Sequence, residues 1–146
     1  MFDQLGWTWV YEPIDLAGYI PDFILQFKEP LLIEIKPALT VEDLLAPFEK
    51  IRTGGWTRRF AVLGAARVNY TESYMDTAWG MQFEPYFGVQ DLQIFRCGCG
   101  YTPCSTSGNW SCGRGCDLRP GHANPSEPKE ILKMWRAAGN TVQWRK

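Results

Sequence analysis

Asp22, Glu34 and Lys36 are the only acidic or basic side chains inside two apolar runs of the stretch 19–36, YIPDFILQFKEPLLIEIK. A charge inside an apolar strand costs free energy unless it is paired or holds a metal. Residues two apart in a strand point the same way, so Glu34 and Lys36 share one face while Ile33 and Ile35 take the other. Two carboxylates beside an ammonium make a divalent-metal site with a catalytic lysine.

Whether Asp22 joins the other two depends on register. The runs read as two strands joined by a turn at Lys28-Glu29-Pro30, and Pro30 disfavours a tight ladder there. A turn over 28–30 that pairs Phe27 with Leu31 places Asp22 opposite Lys36 and diagonal to Glu34. A one-residue slip would throw Asp22 to the other face. Upstream, the aromatic run 5–11, LGWTWVY, reads as a strand ending at Glu12-Pro13. Glu12 is either a further metal-facing carboxylate or a strand-end charge.

Beyond Lys36, Pro37 breaks the strand. Thr40 and Asp43 form a capping-box variant ahead of Leu44, Leu45, Phe48 and Ile51, whose helical spacing predicts a helix over 41–52, stopped by Gly54-Gly55 and carrying Pro47 inside it. The run 59–65, RFAVLGA, is apolar throughout and reads as a strand buried on both faces. The stretch 68–90 shows no clear period. A strand over 91–96 follows, and a closing helix is predicted over 127–139, ended by Gly139-Asn140, with 141–146 a short strand or basic end.

All five cysteines lie between 97 and 116. An odd number packed so closely, with no basic leader at the start of the chain, favours metal over disulfides. The segment 96–125 is rich in Gly, Ser, Cys and Pro and cannot bury enough apolar surface to fold unaided; a structural zinc supplies what is missing. Cys99, Cys104, Cys112 and Cys116 give two arms of ligands, with Cys97 the alternate and His122 a weaker one.

The chain of 146 residues is 45% hydrophobic and 21% charged, which fits one globular domain over 1–146 with the zinc segment inserted in it. No apolar run is long enough to span a membrane. The single histidine, His122, argues against Ser-His-Asp chemistry and His-based zinc hydrolysis, and no phosphate-cradling glycine loop is present. Net charge is −1, but Lys129, Lys133, Arg136, Arg145 and Lys146 crowd the end of the chain, and Arg52, Arg58 and Arg59 follow the predicted helix. Such local basic patches bind phosphates without a basic average.

Asp22 in YIPDF and Glu34-Ile35-Lys36, followed by a helix, resemble the PD-(D/E)xK nuclease superfamily. The stretch 2–36, FDQLGW…YEP…YIPDFIL…LLIEIK, is similar to small phage and mobile-element nucleases and to transposase-associated endonuclease subunits, some of which carry a cysteine-rich zinc module before a last helix. The resemblance implies an α/β restriction-endonuclease-like core, a mixed sheet flanked by helices, and hydrolysis of DNA in the cytoplasm of a bacterial host. It implies that Asp22 and Glu34 bind Mg2+ or Mn2+ with the backbone carbonyl of Ile35, and that Lys36 orients or deprotonates the attacking water. The family's first helix, with its acidic residue, has no counterpart before the FDQLGW strand entry. Either the start is internal to a longer protein, or Glu12 substitutes, or the site is incomplete, and a homodimer or protein partner would cover the sheet face that helix leaves open.

Overall fold

In a computed structural model, residues 1–38, 40–64, 79–94, 96–97, 104–106, 123–124 and 129–143 are described. A short 3-10 turn, Asp3–Leu5, precedes β1 (Trp9–Tyr11), β2 (Phe23–Leu25) and β3 (Leu31–Lys36). These three pair antiparallel in succession. Helix α1 (Glu42–Thr53) then carries the chain over to β4 (Phe60–Gly64), which lies parallel to β3. Strands β5 (Gly80–Glu84) and β6 (Gly88–Ile94) continue antiparallel. Strand β7 (Arg96–Cys97) leaves this sheet, while β8 (Cys104–Thr106) adds to the edge of β6. Strand β9 (Ala123–Asn124) pairs with β7 in a separate two-stranded ladder, and α2 (Lys129–Gln143) closes the chain. The result is α/β, with a mixed seven-stranded sheet in the order β1-β2-β3-β4-β5-β6-β8.

Alternation along the strands sorts the core into two layers. Leu32, Phe60, Val62 and Met81 face α1, which contributes Leu44, Phe48 and Ile51. Leu25, Leu31, Ile33, Ala61, Leu63, Leu92 and Ile94 form the other face, packed with Phe2, Trp7, Trp79 and, from α2, Ile131 and Trp135. The second face, expected to stand open for want of an N-terminal helix, is therefore covered here by the chain's own first residues and its last helix. Central β4 is buried along its whole length, as its unbroken apolar run predicts.

Helix α1 starts as the sequence implies. The Thr40 N–H donates to Asp43 Oδ2 at 3.2 Å and the Asp43 N–H donates to Thr40 Oγ1 at 3.4 Å, a reciprocal cap. Pro47 lies inside the helix and is buried. Two expectations fail. Strand β1 is short, because the 3-10 turn and a left-handed Gly6 occupy the chain just before it. Helix α2 runs through Gly139 and Asn140 to Gln143, so neither residue ends it and 141–143 is not a strand. Within the cysteine segment, Cys104–Thr106 joins the main sheet.

Candidate active site

The carboxylates and the lysine meet where β2 and β3 part. The ladder pairs Leu25 with Leu31, Ile24 with Leu32 and Phe23 with Ile33. The connecting loop is thus 26–30, longer by two than the one expected. The expected Phe27–Leu31 pairing is wrong, but a shift of two preserves parity. One further step puts Asp22 across from Glu34, not opposite Lys36, and all three side chains stay on the α1 side of the sheet.

Each carboxylate caps the backbone of the opposite strand. Asp22 Oδ2 accepts the Ile35 N–H at 2.7 Å, and Glu34 Oε2 accepts the Asp22 N–H at 3.2 Å. The Lys36 ammonium forms an ion pair with Glu34 Oε1. Glu34 is 2% exposed while the Lys36 side chain is 38% exposed, so a buried anion is compensated by a cation that reaches solvent. Burial pushes the Asp22 pKa above its usual value; the Ile35 N–H opposes this, the Glu34 charge adds to it, Lys36 opposes it and Glu12 adds again.

Glu12 comes to the rim of this group. Its N–H donates to the Asp22 carbonyl at 2.8 Å, and its backbone adopts φ 43°, a left-handed conformation strained for a residue with a Cβ. Its side chain is exposed, and its acceptance of a hydrogen bond from Tyr11 is the main cause of a raised Tyr11 pKa. Among the described residues, no three or more His, Cys, Asp or Glu side chains are grouped to hold a metal. The pair Asp22–Glu34 is the core of the site, with Glu12 beside it.

Sequence reasoning passed over Tyr19. The chain around it folds back tightly: the Leu16 N–H donates to the Tyr19 carbonyl at 2.8 Å, the Tyr19 N–H returns to the Leu16 carbonyl at 3.2 Å, and Asp15 Oδ1 accepts the Gly18 N–H at 2.6 Å. The ring packs on the α1-side core, with Lys50 Nζ 5.7 Å from its centre. Its hydroxyl is buried and makes no hydrogen bond of normal geometry. Burial first, then Glu34 as acceptor and charge, then Asp22, raise its pKa. Its place two residues before Pro21-Asp22 was the available signal.

The zinc-ligand set is only partly described. Cys97 lies in β7 and Cys104 in β8, while Cys99, Cys112, Cys116 and His122 fall outside the described residues. Cys104 is paired across from Ile94 and packs against the apolar face under α2. Burial pushes its thiol up to about 12.

Of the basic residues, Arg52 is held by Glu49 at 2.6 Å, and Arg59 by Glu84 at 2.9 Å. Lys129, Lys133 and Arg136 are exposed on α2, across the sheet from Asp22 and Glu34. Among the described residues, no helix is long and apolar enough to cross a membrane. No family model, curated protein or solved structure matches the chain.

Proposed function

We propose that this chain is a divalent-metal-dependent DNA endonuclease of the PD-(D/E)xK kind. The observation that carries the reading is the convergence of Asp22, Glu34 and Lys36 at the open end of the β2–β3 ladder, with Glu34 buried and Lys36 on its carboxylate. The donor set suits Mg2+ or Mn2+: hard anionic oxygens, two of them adjacent, one kept away from water. The Ile35 carbonyl is the third candidate ligand and Glu12 the outer one. A cation there would polarise the phosphoryl oxygen and acidify a bound water.

The chain's own groups do the rest. Asp22 and Glu34 are fixed by the backbone donors of the opposite strand, so little orientational freedom is lost when they take a ligand. Lys36 reaches solvent and can turn from Glu34 towards the scissile phosphate, where it orients the attacking water and neutralises developing charge. Water adds to phosphorus, the P–O bond to the leaving strand breaks, and the leaving oxygen takes a proton. Lys36→Ala should abolish Mn2+-dependent nicking of supercoiled plasmid while DNA binding persists. Unchanged nicking overturns the assignment.

A second reading, a nuclease-fold module that binds DNA or a protein without cutting, draws on the absence, among the described residues, of a group of three carboxylate, His or Cys ligands. Such a module would retard plasmid in a gel and leave it supercoiled in Mn2+. For the cysteine segment we propose a structural zinc. Its ligands are Cys99, Cys104, Cys112 and Cys116, with Cys97 the alternate. About one zinc per purified chain is expected, and none would remove the zinc reading.

A further inference from the structure

At the end of the β2–β3 ladder three carboxylate oxygens hold partners, while one buried hydroxyl holds none. Glu34 Oε1 holds Lys36, Glu34 Oε2 holds the Asp22 N–H, and Asp22 Oδ2 holds the Ile35 N–H. That hydroxyl belongs to Tyr19, buried beside Glu34 without a hydrogen bond of normal geometry. A buried unpaired hydroxyl is unfavourable, and phenylalanine would pack the same space without that cost. The ring is also rigidly placed, by the reciprocal 16–19 backbone bonds and by Lys50 over its face. A donor held this firmly next to a ligand carboxylate is the arrangement by which outer groups orient metal ligands.

We propose that Tyr19 is a positioning residue of the cation site, its phenol O–H donating to the Glu34 carboxylate and fixing that group's orientation once Lys36 has given up Oε1 to a divalent cation. The inference rests on the reading of Asp22 and Glu34 as cation ligands. With Lys36 on Glu34, the carboxylate is turned to the ammonium and the phenol is left short of a bond. With Lys36 released, the same carboxylate has an acceptor lone pair for Tyr19. Tyr19 thus acts through Glu34 and touches neither water nor phosphate.

The test is Tyr19→Phe in the full chain, read by Mn2+ titration with electron paramagnetic resonance, by metal-free thermal unfolding, and by the ultraviolet difference spectrum on adding Mn2+. The expected result is Mn2+ binding weaker by about 10- to 100-fold, a metal-free Tm equal to or above that of the unsubstituted chain, and loss of a phenol difference signal near 290 nm. Equal Mn2+ affinity in the two proteins overturns the role of Tyr19 and leaves the cation site standing. A metal-free Tyr19→Phe protein that unfolds markedly earlier also overturns it, since the hydroxyl would then be structural. Absence of Mn2+ binding by the unsubstituted chain overturns the cation site itself, and Tyr19 with it; Asp22→Ala, which must abolish binding if the site is real, separates that case from binding elsewhere.

Discussion

The Asp22 carboxylate closes the β2–β3 ladder by accepting the Ile35 N–H at 2.7 Å, one step beyond the last paired residues. One side chain therefore serves both the sheet and the candidate site, and two substitutions separate these roles. Asp22→Asn keeps an acceptor for Ile35; Asp22→Ala leaves a part-buried donor unpaired, at a cost of roughly 1–3 kcal/mol. Both should lose cation binding, but only Asp22→Ala should lower stability in urea.

The same pair of proteins gives a pH signature. Burial raises the Asp22 pKa in the folded state above its ordinary value of 3.8, so ionisation costs the folded protein more than the unfolded chain. That penalty is absent below the ordinary value, and it sets in as pH rises through the higher folded value. Metal-free Asp22→Asn should match the unsubstituted protein at pH 3 and exceed it in urea midpoint at pH 7. A gap that widens towards low pH would contradict the sign.

Lys36 is the counter-ion of a carboxylate that is 2% exposed. Removing one partner of a fully buried pair costs about 3–5 kcal/mol; the solvent-reaching ammonium reduces the expected loss for Lys36→Met to roughly 1–2 kcal/mol. The vacated Glu34 should then depend more on a divalent cation. Mn2+ should raise the Tm of Lys36→Met by more than it raises that of the unsubstituted protein, measured at equal metal concentration.

Gly80 is fixed by contact, not conformation. A Cβ there would lie 2.0 Å from the Val62 carbonyl oxygen and 2.9 Å from the Leu63 Cα, both backbone atoms of β4. Relief requires β5 to move away from β4 in mid-sheet. Gly80→Ala should cost roughly 1–3 kcal/mol or more, seen as a fall in urea midpoint. Gly88, at the β5–β6 turn with φ 73°, has open space around it, so its alanine variant is strained by backbone alone.

Trp135 packs at a tilt against Trp79, ring centres 5.1 Å apart and planes 56° apart, joining α2 to the sheet face opposite α1. Trp135→Ala should cost about 3–5 kcal/mol and shift intrinsic fluorescence as Trp79 is uncovered. Loss of nicking activity in this variant should track the unfolded fraction, because Ile131 and Trp135 of α2 pack on the sheet face opposite the one that bears Asp22 and Glu34.

The hairpin, α1 and β4 were legible because their residues are locally consistent: alternating Glu34 and Lys36, the Thr40–Asp43 cap, and an unbroken apolar run from Phe60. The register missed by two because nothing in Gln26–Pro30 fixes the loop length, whereas parity survived because the apolar face enforces it. Strand β5 was hidden by its composition. Gly80 is there for close packing, and Gln82, fully buried, donates its Nε2 to Glu84 Oε1 and so interrupts the apolar signal. Tyr19 was missed because its place just ahead of Pro21-Asp22 does not say what its hydroxyl meets, which depends on the fold of residues distant in sequence. Helix α2 passes through Gly139 because a glycine inside a helix costs only about 1 kcal/mol.

The order of synthesis gives the covered sheet face a further meaning. Strands β2 and β3, which bear Asp22 and Glu34, leave the ribosome about a hundred residues before Ile131 and Trp135 of α2. At roughly 5–20 residues per second that interval is on the order of 5–20 s. Through it the nascent chain holds its candidate ligands on one side and an uncovered apolar face on the other. The candidate site becomes secure only after α2 has docked, and the interval before that is when the chain most needs a chaperone.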